Sequence, residues 1–100
     1  MNAFKIGANV HELRISYDGV KYLNEIVADA DFQAHAILAG LHHTGENYTV
    51  TDVKQAIKDE RLDSSEVRRL SDAIVNASNH YNLVVAMSLK ENTRKKKKSQ

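Results

Sequence analysis

The chain has 100 residues, 42% of them hydrophobic, with fourteen Lys and Arg against thirteen Asp and Glu, and it contains no Cys, Pro or Trp. That length is one domain. The lack of Cys excludes a disulfide framework, a thiolate metal site and a Cys nucleophile, and no run approaches the ~20 apolar residues of a membrane helix.

The charge is unevenly spread. Residues 1–90 hold nine basic and twelve acidic side chains, whereas residues 91–100, ENTRKKKKSQ, hold five basic and one acidic. A mildly acidic body is therefore followed by a compact positive segment. A block of like charge without apolar residues stays solvated, so a disordered basic tail is expected over 91–100.

The N-terminal stretch MNAFKIGANVHELR has no apolar run long enough for a signal peptide. Phe4, Ile6, Val10 and Leu13 read as a short helix or an irregular packed arm, and no strand is expected anywhere. Ser16 is a good N-cap, and Asp18 follows in the first turn, where a carboxylate suits the helix dipole. Val20, Leu23, Ile26, Val27, Ala30, Ala34, Ile37, Leu38 and Leu41 then recur at spacings of three and four. That periodicity predicts one continuous amphipathic helix from about Tyr17 to about His43, with Gly45 as its stop.

Thr49 or Thr51 caps the next helix and Asp52 supplies a first-turn carboxylate. Val53, Ala56 and Ile57 give it a short apolar face that ends near Arg61. Asp63 and Glu66 have the spacing of a capping box. Val67, Leu70, Ile74, Ala77, Tyr81, Val84 and Ser88 continue one stripe, with Val85 and Leu89 beside it, which predicts a helix from about Ser64 to about Lys90. The expected fold class is all-α: two long amphipathic helices with a short one between them, over residues 1–90. The expected core is Leu23, Ile26, Ile37 and Leu38 with Ile57, Leu70 and Ile74. So small a chain buries two long stripes incompletely. Tyr81, Val84, Val85 and Leu89 are left as the surface of an expected homodimer.

Candidate chemistry is sparse. His42 and His43 are adjacent and diverge on a helix, and His35 and His42 lie two turns apart, about 10 Å, too far to share an ion. Asp29 and Asp31 diverge in the same way. Asp59, Glu60 and Asp63 cluster without a His or Lys to complete an acid–base site. There is no Gly-rich phosphate loop, nucleophile elbow or His-Glu-x-x-His. The expectation is a non-enzymatic chain with no cofactor, metal, small-molecule substrate or membrane contact.

Two helices around the junction DERLDS have the outline of a helix-turn-helix, and the second would expose Arg68 and Arg69. The turn lacks Gly, however, and Ala56 to Val67 is one residue longer than the usual spacing. Two packed helices of a bundle account for the same pattern.

Arg14-Ile15-Ser16-Tyr17-Asp18, the long helix after it, a short loop and then TVTDVKQAIK at 49–58 resemble the histone fold over about residues 5–58. The arginine-apolar-serine start and the Thr-x-x-acid-apolar-x-x-Ala-apolar-basic third helix carry the likeness. The resemblance implies a handshake dimer in which Arg14 and Thr49 face DNA from the first and second loops. The chain departs from it in two ways: the second loop, TGENYT, lacks the usual Arg and Lys, and the body is net acidic.

Two functions follow as expectations. The first is a small DNA-associated protein or transcriptional regulator that contacts phosphates through Arg94, Lys95, Lys96, Lys97 and Lys98, with Arg14, Arg68, Arg69 and Thr49 as further nucleic-acid contacts. The second is a helical protein-interaction module, an assembly factor or an inhibitor of a larger protein, with a solubilising tail. The expected partners are DNA, another protein or a second copy. The expected location is cytoplasmic, with nucleoid association under the DNA reading.

Overall fold

The computed structural model of the chain describes residues 2–26 and 31–98, with side chains through Ser88. The elements in order are β1 (Ala3–Ile6), β2 (Asn9–Glu12), α1 (Tyr17–Glu25), α2 (Phe32–Ala39), a 3-10 turn (His42–Thr44), α3 (Val50–Asp59) and α4 (Ser64–Lys98). The fold is mostly helical but not purely α, because an antiparallel hairpin opens it.

That hairpin replaces the expected helix or irregular arm. Ile6 pairs with Asn9 across a two-residue loop, Gly7-Ala8. Gly7 has φ +60° and Ala8 does not have positive φ, the combination a type II′ turn demands of its first central residue. Phe4 and Ile6 are buried while Ala3 and Lys5 are exposed, so β1 has the alternation of a strand with one face on the core.

The expected helix over 17–43 is not continuous. Ile26 takes extended dihedrals (φ −83°, ψ 152°) and ends α1, and α2 starts at Phe32. Val27 and Ala30 of the predicted stripe lie outside the described residues. The two helices run antiparallel: Gly19 lies against the Ala39 carbonyl, and Tyr22 touches His35 and His42. A Cβ at residue 19 would sit 2.5 Å from that carbonyl oxygen, so this approach requires glycine. The 27-residue central helix implied by the histone resemblance is not formed; the central element is the eight-residue α2.

Ala34, Ala36, Ile37, Leu38 and Ala39 of α2 are all buried. A helix this largely apolar belongs in the middle of a core, with Gln33 its exposed residue. α1, α3, α4 and the hairpin pack around it, with Phe4, Leu13, Leu41, Val53, Ala56, Val67, Leu70 and Ile74 completing the cluster. Of the expected core, Ile37, Leu38, Leu70 and Ile74 are buried. Leu23 and Ile57 are partly buried against the cluster, and Ile26 is half-buried at the end of α1.

α3 is capped by Thr49, whose side chain accepts from the Asp52 amide while Asp52 accepts from the Thr49 amide, a full capping box. It closes in a Schellman motif: Leu62 N–H donates to the Ile57 carbonyl and Arg61 N–H to that of Lys58. Arg61 occupies the left-handed position (φ 52°) that usually goes to glycine. At the start of α4 only half of the expected capping box forms. Asp63 accepts from the Glu66 amide at 2.8 Å, but the Glu66 carboxylate turns to Arg69.

α4 is 35 residues long, about 52 Å at 1.5 Å per residue, and its backbone is helical to Lys98, beyond the expected end near Lys90. It accounts for a molecule that extends 60 Å along one axis and 25 and 23 Å along the others. Among the described residues, no helix is long and apolar enough to cross a membrane.

Candidate interaction surfaces

α4 divides into two stretches. Val67, Leu70, Ser71, Ile74 and Ser78 are buried at spacings of three and four, so this stretch is held by the body. Tyr81 and Asn82 are half-buried at the edge, where Asn82 and Asn24 of α1 exchange two amide hydrogen bonds of 3.1 and 3.2 Å. From Leu83 to Ser88 every residue is exposed. This arm begins with four large apolar side chains in solvent: Leu83 (59% exposed), Val84 (47%), Val85 (39%) and Met87 (60%). Leu83 and Met87 lie on the side of α4 away from the core, whereas Val85 faces the cleft toward α1.

Tyr81 and Val85 line a cleft of about 260 Å³ between α1 and α4, opposite Tyr17 and Val20. Of the expected dimer surface, Val84 and Val85 are therefore exposed, and Tyr81 belongs to the body's edge. The side chain of Leu89 lies outside the described residues.

The expected nucleic-acid contacts do not converge. Arg14 is exposed after β2, with its amide bonded to the Gly40 carbonyl. Thr49 is occupied as a cap. Arg68 is exposed on the first turns of α4. Arg69 donates to both Glu66 oxygens, at 2.6 and 3.3 Å, and to Asn2 at 3.1 Å. The Arg69 guanidinium bonded to Glu66 holds that carboxyl below its ordinary value, and Glu66 in turn raises Arg69. Positions 69 and 95 are about 39 Å apart along the helix, so the arginines near the start of α4 and the run Arg94–Lys98 do not form one patch. The side chains of Arg94–Lys98 lie outside the described residues.

Four of the five histidines make hydrogen bonds within the fold, and His80 is exposed. His42 Nδ1–H donates to the Leu38 carbonyl at 2.9 Å, and His43 Nε2–H donates to that of Glu12 at 2.7 Å. His35 Nδ1 shares a hydrogen bond with the Tyr22 hydroxyl, and His11 Nε2 shares one of 2.8 Å with that of Tyr48. Among the described residues no three His, Asp or Glu gather as a metal ion requires. No buried side-chain polar atom there lacks a hydrogen-bond partner. A cleft of about 370 Å³ between the hairpin turn and α3 is lined by Tyr48, Asp52, Gln55 and Asp59. Asp52 is already the capping partner of Thr49, Asp59 accepts from the Gln55 amide at 2.9 Å, and the Tyr48 hydroxyl is bonded to His11.

The sequence stripe identified Val84 and Val85 but not Leu83 and Met87. Those two lie on the opposite side of α4 from the core, a distinction that emerges only once the buried face is known. No family model, curated protein or solved structure matches the chain.

Proposed function

We propose that the chain is a small, non-enzymatic DNA-associated protein whose working part is the arm of α4. The observation that carries this reading is the separation of charge along one helix. Residues 1–82 hold eight basic and twelve acidic side chains, and residues 83–98 hold six basic and one acidic. The helix sets the middle of the basic run about 21 Å beyond Asn82. That distance exceeds the ~8 Å screening length at physiological salt, so the acidic body repels phosphates only weakly at the arm's end. Lys-rich segments gain binding free energy by releasing counterions from the duplex. Phosphate contact of this kind has little sequence preference, and with Thr49 and Arg69 engaged internally, Arg14 and Arg68 remain as the free arginines of the expected set.

The test is DNA binding titrated with salt. Replacing Lys95–Lys98 with Ala is expected to flatten the slope of log K against log salt by up to about 3–4 and to weaken all sequences alike. An unchanged slope, or no binding of the intact chain at ~50 mM salt, contradicts the proposal.

A second reading, the protein-interaction module, is favoured by a separate observation: Leu83, Val84, Val85 and Met87 stand in solvent before the basic run begins. It takes over if the intact chain ignores DNA.

A further inference from the structure

The bend between α3 and α4 is the one place among the described residues where a residue other than glycine is held in the left-handed region. Arg61 sits there at φ 52°, a backbone state that glycine takes freely and arginine does not. The bend, Glu60-Arg61-Leu62-Asp63, contains no Gly or Pro, so nothing in its sequence prevents it from continuing as helix. The buried residues on either side are also in phase. Ala56, the last of α3, and Val67, the first of α4, are eleven positions apart, which is three turns of an α-helix and about 20°. With the bend straightened, Val53, Ala56, Val67, Leu70 and Ile74 would share an arc of about 100° on one helix. We infer that this bend is a hinge at which two copies exchange α4: α3 and α4 fuse into a single helix, and each α4 docks on the body of the other copy.

The contacts that α4 now makes identify what fills its seat. An opened chain takes Val67, Leu70 and Ile74 out of the cluster they form with Phe4, Leu13, Ile37 and Leu41. It also leaves Asn24 without the two amide hydrogen bonds of Asn82. α4 of a second copy restores all of these, because it carries the same side chains in the same order. At the bend itself, the exchange gives up the Asp63 cap on the Glu66 amide and the packing of Leu62 against the core. In return it relieves Arg61. It also lets the amides of Ser64 and Ser65, at the start of α4, bond the carbonyls of Glu60 and Arg61 as in any helix interior. Gains and losses at the bend are of similar kind, so the strain at Arg61 and the protein concentration decide between the closed chain and the exchanged pair.

This exchange does not depend on the DNA reading, and its test needs no DNA. The intact chain, unfolded and then refolded at several hundred micromolar, should yield a dimer that survives dilution. Unfolding and refolding that dimer at low micromolar concentration should return it to monomer. Arg61→Gly favours the bend and weakens the fused helix, so its dimer yield should fall by about tenfold or more. Arg61→Ala keeps the strain and is a better helix former, so its yield should at least equal that of the wild type. The chain has no Cys, so exchange can be read by mixing two single variants, Asn24→Cys and Asn82→Cys, before refolding. A short bis-maleimide should then join one chain of each kind in the isolated dimer. Failure to form a dimer overturns the inference even if DNA binding is retained. A dimer in which these two chains do not link overturns the exchange of α4, and equal losses in Arg61→Gly and Arg61→Ala overturn the role of strain at the hinge.

Discussion

The first nineteen residues of α4 and the last sixteen belong to one helix but have opposite relations to the fold. The proximal part buries Val67, Leu70, Ile74 and Ser78 in the body. The distal part leaves the body after Val85, which still faces the cleft toward α1, presents Leu83, Val84 and Met87 to solvent, and carries the basic run. Helical periodicity is the same in both halves. What differs is whether the apolar positions find a neighbour, and that depends on where the rest of the chain ends rather than on α4 itself. A long amphipathic pattern therefore shows that a helix forms without showing how much of it belongs to the core.

The largest test of this contrast is a pair of truncations. Ile74→Ala, at a site 2% exposed, is expected to cost about 2–5 kcal/mol. Leu83→Ala should change the stability of the dilute chain by less than about 0.5 kcal/mol. Chemical denaturation of both variants measures the difference, and equal losses would place the arm inside the folding unit.

Next in size is Gly19→Ala, which tests the tight packing of the body. The added methyl would meet the Ala39 carbonyl oxygen at 2.5 Å, backbone against backbone, so a loss of about 2–3 kcal/mol is expected. A neutral result would mean that α1 and α2 can move apart freely.

Much of this was legible from residues alone, and the misses have identifiable causes. Thr49 and Asp52 acted as the cap and the first-turn acid that their chemistry suggests, and Ile37, Leu38, Leu70 and Ile74 were recognisable as core; Gly45 closes only the 3-10 turn, because α2 already stops at Gly40. The hairpin was hidden because each strand is only four residues long. Its signal was Gly7-Ala8 between AFKI and NVHE, a Gly-X pair flanked by alternation. The split between α1 and α2 had no Gly or Pro to announce it. The Asp31 side chain makes no capping hydrogen bond to α2 and instead pairs with Lys54 at 3.1 Å. The stripe kept its period across the break because both helices turn apolar faces to one core, and Gly19 against Ala39 shows the folding back. On the candidate surface, the basic run was plain in the composition. The outer face of Leu83 and Met87 was not, since naming an outer face requires knowing the inner one.

A smaller effect is expected just before α4. Arg61 in the left-handed region costs roughly 1–2 kcal/mol, partly offset in a glycine variant by the greater freedom of its unfolded chain. Arg61→Gly should therefore raise stability by about 0.5–1 kcal/mol without altering DNA binding. A loss of stability would show that the Arg61 side chain holds the turn.

The smallest effect is a pH dependence at the foot of α4. Glu66 is held below its ordinary value by Arg69, so its contribution is present above the unfolded carboxyl range and fades as pH falls through its folded value, below 4.5. Comparing wild type with Glu66→Gln by thermal unfolding, the gap seen at neutral pH should close in that acidic range. A gap that widens in acid would reverse the sign.

The central claim, that the arm binds while the body only carries it, is tested most directly by hydrogen exchange along α4, in dilute protein at low salt, with and without duplex DNA. Amides of residues 83–98 should gain protection when DNA is added, while those of residues 67–82 should keep the protection that the core already gives them. Protection appearing instead at the α3–α4 turn and the first turns of α4, with the arm unchanged, would contradict the account.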